Sequence, residues 1–391
     1  MSQPNFVALG DVAEITAGGG APQEDKFFTE KGFPFIRAGS LIKLLNNEGE
    51  SSLEQINEDN AKIHGLKLYP KDSVLFAKSG MSATKGHVYR TKQPCYVVNH
   101  LAVIIPNKLC DASYIEKVLK KYSPVSLIQD PAYPSIRLSD IAKLKIPLPP
   151  LAEQKRIAEI LDKAAAIKAK RELAIAKLDE LAQSTFVDMF EKKLLQSDKT
   201  VGDFFEVNNN RYMTNLNDTD EVPFIPMSAV SESSKLVENA EIRKYLEVKK
   251  GYTPIKKGDL IVAKITPCYE NGKQAVVNNI EPLFAYGSTE FHTFRHDDSG
   301  LIFVLHYYLQ TWNVKRKGAA SMKGAAGQRR VPDSFFKELP FALLPAESVE
   351  EFKSIINKCN SVRSKFVGHV AAIEKLIASL QHQAFTTGFN A

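Results

Sequence analysis

The spacing of hydrophobic residues changes along this chain in a pattern that predicts four regions. In residues 1–146 and 191–340, short apolar runs such as SVLFAK, CYVVNHLAVIIP and DLIVAKI are separated by Gly, Pro, Asn and Asp. Such runs predict short strands joined by loops and occasional helices. In residues 147–190 and 341–391, a group of prolines is followed by a long stretch poor in proline and glycine, which predicts a helix. We therefore predict two α+β domains and two long helices.

Each predicted helix carries a stripe of residues at three- and four-residue steps, a spacing typical of coiled coils. The stripes are Ile157, Ile160, Ala164, Ile167, Arg171, Ala174, Leu178, Leu181 and Thr185 in the first helix, and Phe352, Ile355, Cys359, Val362, Phe366, His369, Ile373, Leu376 and Leu380 in the second. A helix from about Ala152 to Phe190 would be roughly 55 Å long at ~1.5 Å per residue, so it needs a partner to bury its stripe. We expect the two helices to pair as an antiparallel coiled coil.

The chain also contains an internal duplication. Four segments recur in the same order about 190 residues later. They are Leu9-Gly10-Asp11 with Val201-Gly202-Asp203, residues 33–36 with 222–225, residues 74–78 with 260–264, and Arg137-Leu138-Ser139-Asp140 with Arg330-Val331-Pro332-Asp333. We expect two similar domains related by an approximate two-fold axis, the symmetry of duplex DNA, whose helical turn is about 34 Å. A coiled-coil scaffold that binds proteins instead of DNA is the alternative.

The segment IPLPPLAEQKRIAEILDKAAAIKAKRELAIAKLDELAQSTFVDMF, residues 146–190, closely resembles the central conserved region of the specificity (S) subunits of type I restriction-modification enzymes. AYGSTEFHTFR, residues 285–295, resembles part of a target recognition domain in the same family. The resemblance covers essentially the whole chain. It implies that residues 1–146 and 191–340 are target recognition domains, each recognising one half of a bipartite asymmetric DNA site. It also implies that the helices set the spacer and dock two methyltransferase (M) subunits.

The resemblance implies the remaining partners and cofactors as well. Double-stranded DNA, two M subunits and, where present, restriction (R) subunits are the expected partners. S-adenosylmethionine is expected in the M subunit, and ATP and magnesium in the R subunit, with no cofactor in this chain. The predicted coiled-coil and docking residues are Gln154, Ile157, Ile160, Ile167, Leu178, Leu181, Phe352, Ile355, Val362, Phe366, Ile373 and Leu380. The second helix has Val349 where the first has Gln154, so the Glu-Gln pair of the conserved region is intact only in the first copy.

Composition narrows the class of protein without identifying a function. The net charge of +6 is compatible with a polyanionic partner. Four widely spaced cysteines argue against a disulfide framework and a structural zinc site. We expect a cytoplasmic protein without membrane contact, because the sequence has neither a secretory signal nor a long apolar run.

Motifs for catalysis are lacking from the sequence. Asp130-Pro131-Ala132-Tyr133 differs by one residue from the Asp-Pro-Pro-Tyr signature of adenine methyltransferases, but no glycine-rich S-adenosylmethionine loop leads into an apolar helix. We interpret the tetrapeptide as a rigid surface turn, and a self-sufficient DNA adenine methyltransferase as the less favoured alternative. Glu290, Asp297 and Lys264 have the residue types of a nuclease site, but we expect neither a nuclease nor a metal site. We therefore predict a subunit that is not itself an enzyme.

Candidate DNA contacts are basic and polar residues in loops, because phosphates bind Lys and Arg and base edges bind hydrogen-bonding side chains. Residues 77–86 provide Lys78, Ser79, Ser82, Thr84 and Lys85, and the corresponding loop of the second copy provides Lys264, Thr266, Tyr269, Asn271 and Lys273. The basic run of residues 314–330 provides Lys315, Arg316, Lys317, Lys323, Arg329 and Arg330, with a flexible solvated loop as the alternative. Arg37, Asn99 and Arg137 are further candidates. Because the loops of the two copies differ, we expect two different half-sites.

Overall fold

The computed structural model describes residues 5–209, 216–281, 283–325 and 327–387. The chain divides into two compact units. Unit 1 comprises Met1–Glu172 and Val367–Ala391, and unit 2 comprises Leu173–Phe366. Each unit contains sheets and a part of each long helix, so the predicted α+β fold with two sheet-rich regions and two long helices is confirmed.

Unit 1 is built on a four-stranded sheet and a three-stranded sheet, with a further two-stranded pair. Its strands and helices are β1 (Phe6–Ala8), α1 (Leu9–Val12), β2 (Ala13–Ala17), β3 (Phe33–Ile36), α2 (Ser40–Leu45), β4 (Gln55–Ile56), α3 (Glu58–Ile63), β5 (Val74–Ala77), β6 (Val88–Arg90), β7 (Tyr96–Val97), β8 (Leu101–Pro106), α4 (Ala112–Lys121), α5 (Leu138–Lys143), β9 (Lys145–Pro147) and the start of α6 (Leu151–Phe186). One sheet has the order β2-β8-β5-β6 and the other β4-β3-β7, while β1 pairs with β9.

Strand β5 lies inside unit 1 and is buried on both faces. Val74 and Phe76 pack into the cluster that contains Ile157 of α6, whereas Leu75 and Ala77 pack into the cluster of the second sheet. Successive side chains of a strand point to opposite faces, so a strand covered on both sides is apolar at every position. This explains why the run VLFA shows no polar alternation.

Unit 2 repeats this arrangement. Its elements are the rest of α6, α7 (Lys192–Leu195), α8 (Val201–Phe204), β10 (Glu206–Val207), β11 (Glu221–Ile225), β12 (Glu241–Lys244), α9 (Tyr245–Val248), β13 (Thr253–Lys256), β14 (Leu260–Ala263), β15 (Gln274–Val276), β16 (Phe284–Gly287), β17 (Phe291–Arg295), α10 (Ser299–Gln310), α11 (Trp312–Ser321), α12 (Asp333–Lys337) and the start of α13 (Ala346–His382). The order β10-β17-β14-β15 matches β2-β8-β5-β6 strand for strand, and β12-β11-β16 matches β4-β3-β7.

The repeated glycine of the duplication has a packing role in both units. A Cβ on Gly10 would lie 3.2 Å from the Cβ of Ala142 on α5. A Cβ on Gly202 would lie 3.1 Å from the carbonyl oxygen of Lys337 on α12. Two short helices therefore approach closely at the same place in each unit, which favours a residue without a side chain.

The long helices run antiparallel where they meet within each unit. In unit 1, Lys168 of α6 forms an ion pair with Glu374 of α13 at 2.8 Å, while Ile157 shares a core cluster with Phe385, further along the chain. In unit 2, Asp179 accepts from Arg363 at 3.1 Å, and the rings of Phe186 and Phe352 lie 5.6 Å apart. The two helices therefore run in opposite directions, as the sequence predicted.

Both helices end in a π-helical turn that the sequence did not predict. These turns span Val187–Glu191 after α6 and Gln383–Thr387 after α13. Each brings a fully buried phenylalanine, Phe190 or Phe385, into the core of its unit.

Candidate nucleic-acid interface

In unit 1, two segments that are far apart in the sequence lie side by side; we name residues 78–85 and 130–137 loop pair 1. The amide of Ile136 donates to the carbonyl of Lys78 at 2.7 Å, and the amide of Gly80 donates to the carbonyl of Pro134 at 2.9 Å. The Lys78 amide donates in turn to the carbonyl of His100 at the start of β8, at 2.9 Å. Loop pair 1 is therefore fixed by its backbone at the end of the central strand β5.

In unit 2, residues 264–273 and 323–330 form the corresponding surface, which we name loop pair 2. The amide of Val331 donates to the carbonyl of Lys264 at 2.9 Å, and the amide of Thr266 donates to the carbonyl of Arg329 at 2.9 Å. The Lys264 amide donates to the carbonyl of Glu290 at 2.9 Å. The described residues of the 323–330 segment form a hairpin closed by two backbone hydrogen bonds between Lys323 and Arg330.

These three hydrogen bonds match one for one, so they define equivalent positions in the two units. The equivalent pairs are Lys78 with Lys264, His100 with Glu290, Pro134 with Arg329 and Ile136 with Val331. One residue earlier, Tyr133 takes the position of Gln328. The backbone frame is therefore the same in both loop pairs, whereas the side chains that it presents are different.

Loop pair 1 exposes two large hydrophobic side chains among its polar ones. Tyr133 is 82% exposed and Met81 is 67% exposed. The hydroxyl of Ser79 bonds Nδ1 of His100 at 2.7 Å, and Lys85 is exposed. Asp130 accepts from the amide of Ala132 at 2.8 Å, which confirms that the DPAY tetrapeptide is a surface turn.

Loop pair 2 is more strongly charged. Arg330 donates two hydrogen bonds from Nε and Nη2 to the carboxylate of Glu290, with the ion pair at 2.7 Å. These bonds lower the pKa of Glu290, while burial lowers the pKa of Lys264. Lys323, Gln328 and Arg329 are exposed. Loop pair 2 thus combines free basic side chains with one arginine whose charge is already neutralised.

Met81, His100, Tyr133 and Gln328 were not among the DNA contacts predicted from the sequence. They lie next to or near residues that were predicted. The sequence repeat aligned Arg137 with Arg330, two residues away from the equivalence of Ser135 with Arg330 that the backbone hydrogen bonds define. The missing information was that residues 130–137 lie against residues 78–80, which no local pattern in the sequence records.

Several predicted contacts of the second copy have partners within unit 2. Tyr269 is 3% exposed and its hydroxyl donates to the carbonyl of Val314, so this side chain is part of the core, which argues against a direct DNA contact. Gly318 packs against Tyr269, and a Cβ at Gly318 would overlap the phenolic oxygen. The remaining side chains make local hydrogen bonds: Thr266 with Glu270, Asn271 with Glu232, and Lys273 with the carbonyl of Met227.

The first part of the basic run is helical, because residues 312–321 form α11. Arg316 lies over the ring of Trp312, 4.6 Å from its centroid, and both side chains are exposed. Lys317 is also exposed, whereas Lys315 lines an internal cavity. The alternative of a flexible loop is therefore wrong for this part of the run.

The three further candidates differ in their surroundings. Arg37 pairs with Glu54 at 2.7 Å and lies over the rings of Phe28 and Phe35. Asn99 and Arg137 are exposed; the first precedes His100 and the second ends loop pair 1.

Among the predicted docking residues, Gln154 is fully buried and its amide is used within unit 1. Its Oε1 accepts from the Asp111 amide at 2.9 Å, and its Nε2 donates to the carbonyls of Leu109 and Pro149. Gln154 therefore fastens the start of α6 to the start of α4. Val349, which replaces it in the second copy, is a buried apolar residue in the core of unit 2.

The other stripe residues range from buried to half-exposed. Ile157 and Phe352 are fully buried, and Ile160, Leu178, Ile355, Phe366, Ile373 and Leu380 are partly buried. Ile167 is 50% exposed, Leu181 48% and Val362 39%. The exposed members leave apolar area on both long helices that the described residues do not cover.

The described residues offer little other chemistry. They contain no group of three or more His, Cys, Asp or Glu residues arranged to hold a metal ion. The four cysteines are free, with Cys95 and Cys110 buried. In this part of the chain, every helix is too short or too polar to cross a bilayer.

The first copy of the duplication is similar in sequence to known proteins. Residues 1–177 match the family described as type I restriction modification DNA specificity domain. The specificity subunits of the type I restriction enzymes EcoAI and EcoEI from Escherichia coli are 33% and 35% identical to the chain over 170 and 172 residues, 42% of the chain. That of MjaIX from Methanocaldococcus jannaschii is 32% identical over 145 residues, 36% of the chain. The chain spans 28% of the length of each E. coli relative and 33% of the third.

Solved structures extend the likeness of fold to the whole chain. The S subunit of a type I restriction-modification system from M. genitalium superposes with a TM-score of 0.53 at 11% identity, covering 98% of this chain and 96% of that one. A chain from a study of complex assembly in the type I R-M system superposes with a TM-score of 0.59 at 14% identity, covering 100% and 99%. These findings show that residues 1–177 resemble type I restriction modification DNA specificity domains, and that the chain as a whole has a fold similar to that of the solved S subunit.

Proposed function

We propose that the chain selects DNA for a type I restriction-modification enzyme, with each loop pair recognising one half of a bipartite asymmetric site. The observation that carries this proposal is the shared backbone frame of the two loop pairs, which holds different side chains at equivalent positions. A constant frame with variable side chains is what two recognition surfaces of different specificity need, because base edges are distinguished by the side chains that reach them.

Phosphate contacts position such a protein on DNA and base contacts give it specificity. Lys85 in loop pair 1, and Lys323 and Arg329 in loop pair 2, are exposed cations suited to phosphates. Tyr133 and Gln328 are the exposed side chains best suited to bases. An aromatic ring stacks on a base or packs on a thymine methyl group, and the amide of Gln pairs with the edge of adenine.

The long helices are proposed to dock two methyltransferase subunits. Each leaves large apolar side chains about half exposed, which favours coverage by a partner. They are Ile167, Leu173 and Leu181 on α6, and Val362, Val367 and Leu376 on α13. Restriction subunits are further partners where the system contains them.

Catalysis is assigned to the partners, and this chain acts through binding free energy alone. The methyltransferase subunits would bind S-adenosylmethionine and extrude the target adenine, since a base within a duplex is not accessible to the methyl donor. ATP and magnesium belong to the restriction subunit. We propose a cytoplasmic location for the assembled complex, where the DNA is found.

Sequencing of methylated adenines in a plasmid tests this function. The plasmid is propagated in a host that expresses this chain and its cognate methyltransferase subunit, and in a host that expresses the methyltransferase alone. We expect methylation at one two-part motif with a fixed gap only when both are present. No methylation by an intact complex with an active methyltransferase would favour the scaffold alternative, and methylation by this chain alone would favour a self-sufficient methyltransferase.

A further inference from the structure

Unit 2 contains a cavity that the DNA-recognition function does not use. It has a volume of about 760 Å³ and lies between α6, α10, α13 and the connection from β11 to β12. Small-molecule sites in proteins typically have volumes of about 300–1,000 Å³. The rings of Phe303 and Tyr307 line one part of the wall, and Lys235 and Lys315 line another. The cavity therefore combines an apolar surface with concentrated positive charge.

The charges around this cavity do not cancel. Every lining carboxylate has a cationic partner: Asp179 pairs with Arg363 at 3.1 Å, Glu180 with Lys177 at 2.6 Å and Glu232 with Lys273 at 3.9 Å. A further lining cation, Lys353, pairs with Glu350. Among the described residues, by contrast, no carboxylate lies within ion-pair distance of Lys235 or Lys315. In this partly enclosed space, Lys235 and Lys315 are thus two cations without a paired carboxylate, and Asp179 and Glu232 act on Lys235 only at longer range.

The two ammonium groups converge on one point. Lys235 Nζ donates to the carbonyl of Gly272 at 2.6 Å. A Cβ built on Gly272 would lie 3.2 Å from Nζ of Lys235 and 3.0 Å from Nζ of Lys315. Burial, and next the charge of Lys315, lowers the pKa of Lys235 to about 8; burial also lowers the pKa of Lys315. Both charges are therefore held close together at a cost in free energy.

The backbone of Lys235 adds a second cost. Its φ of 56° lies in the left-handed region, which is unfavourable for a residue with a long side chain. In unit 1, the equivalent connection from β3 to β4 contains Asn47, with a φ of 66°, and asparagine tolerates this conformation well. Strained and desolvated residues of this kind cluster at ligand-binding sites, where the ligand offsets the cost.

A histidine, His306, also lines the cavity. Gln274 Nε2 contacts both the carbonyl of His306 at 2.7 Å and its Nδ1 at 3.1 Å. An amide nitrogen only donates, so Nδ1 accepts and the neutral ring carries its proton on Nε2. Burial lowers the pKa of His306 to about 4, which keeps the ring neutral at pH 7.

We propose that this cavity binds a small molecule with a phosphate group, which lies between Lys235 and Lys315 while a ring or other apolar part packs on Phe303 and Tyr307. A phosphate monoester carries about two negative charges at neutral pH. This number matches the two lysines that have no paired carboxylate, Lys235 and Lys315. The concave shape fits a free small molecule. This site does not depend on the proposed recognition of DNA.

Thermal unfolding of the full chain tests the site. The probes are inorganic phosphate, pyrophosphate and AMP, each compared with sodium chloride at equal ionic strength. We expect at least one probe to raise the Tm in a saturable manner. Its apparent affinity should fall at least about ten-fold in Lys235→Asn and in Lys315→Gln, because each variant removes one phosphate-binding cation. The control variant Lys250→Gln, which changes an exposed lysine of unit 2 outside the cavity, should retain the affinity.

Lys235→Asn also separates ligand binding from folding. Without phosphate this variant should melt at a higher temperature than the natural chain, because asparagine relieves the left-handed strain and removes a desolvated charge. The proposal is overturned if none of the three probes raises the Tm beyond the salt control, or if both lysine variants respond as the natural chain does. Equal affinities for phosphate and AMP would overturn the role given to Phe303 and Tyr307.

Discussion

Loop pairs 1 and 2 have the same backbone hydrogen bonds but opposite chemical character. Loop pair 1 presents an exposed tyrosine and methionine beside the Ser79–His100 hydrogen bond, whereas loop pair 2 presents Gln328 and Arg329 beside the Arg330–Glu290 ion pair. The backbone bonds fix where a side chain is presented and leave its identity open. A duplicated domain can therefore acquire a new specificity without a change of fold.

The largest expected effect concerns the phenylalanines that the ends of the long helices bury in the core of each unit. Phe385 is fully buried in unit 1, with its ring 5.8 Å from that of Tyr114, and Phe190 in the other π-helical turn is buried in unit 2. Phe385→Ala should lower the free energy of unfolding of unit 1 by about 3–5 kcal/mol through the lost burial and the cavity. Hydrogen exchange measured by mass spectrometry should show faster exchange in unit 1 and little change in unit 2. Leu376→Ala, at an exposed site on α13, is the control, and equal losses in both variants would contradict the account.

The next effect concerns the equivalent positions 133 and 328. Tyr133→Ala should reduce methylation at sites with the natural first half by about 5- to 150-fold, because a base contact contributes ~1–3 kcal/mol. Gln328→Ala should act in the same way on the other half of the motif. Both residues are exposed, so neither change should affect folding. Ile63→Ala, 69% exposed on α3, is the control. If either variant altered both halves, the assignment of one half to each loop pair would be refuted.

A smaller effect is expected at the lysines of both loop pairs that we propose to contact phosphates. Lys85→Ala and Lys323→Ala should each weaken DNA binding by the assembled complex without changing the motif. Each should reduce the slope of log K against log salt concentration by about 1, as loss of one phosphate contact does. Fluorescence anisotropy of a labelled duplex over a range of salt concentrations measures this slope. An unchanged slope would remove the lysine concerned from the interface.

The smallest expected effect is on folding stability and concerns the Arg330–Glu290 ion pair of loop pair 2. Hydrogen bonds from Arg330 lower the pKa of Glu290 from its ordinary value of 4.5. The pair therefore stabilises the folded state fully above that value, and this contribution is lost as the pH falls through the lowered pKa. Because Arg330 is 41% exposed, Glu290→Gln should cost only about 0.5 kcal/mol at pH 7.

Urea unfolding at pH 7 and in the acidic range tests this contribution. The difference between Glu290→Gln and the natural chain should shrink at low pH. Glu281→Gln, which removes a surface pair with Lys257, serves as the control for a general loss of negative charge. A difference that stays constant with pH would show that the ion pair is not its source.

The sequence predicted those features that depend on periodicity and repetition. The stripes of Ile157 and Phe352 predicted the two long helices, and the repeated segments at Gly10 and Gly202 predicted the duplicated sheets. Features that depend on contacts between distant segments could not be predicted. Tyr269 lies in a loop by its sequence but packs against Gly318 in the core, and Lys235 acquires its charged neighbour only when α11 packs beside it. The π-helical turns likewise leave no periodic pattern.

Exchange of one recognition region tests the central claim most directly. Residues 1–146 are replaced by the matching region of a specificity subunit that recognises a different site, and adenine methylation is mapped in the presence of the methyltransferase. The account predicts that one half of the motif changes, while the other half and the gap stay as they are. A motif that changes in both halves, or in neither, would contradict the assignment of one half-site to each unit.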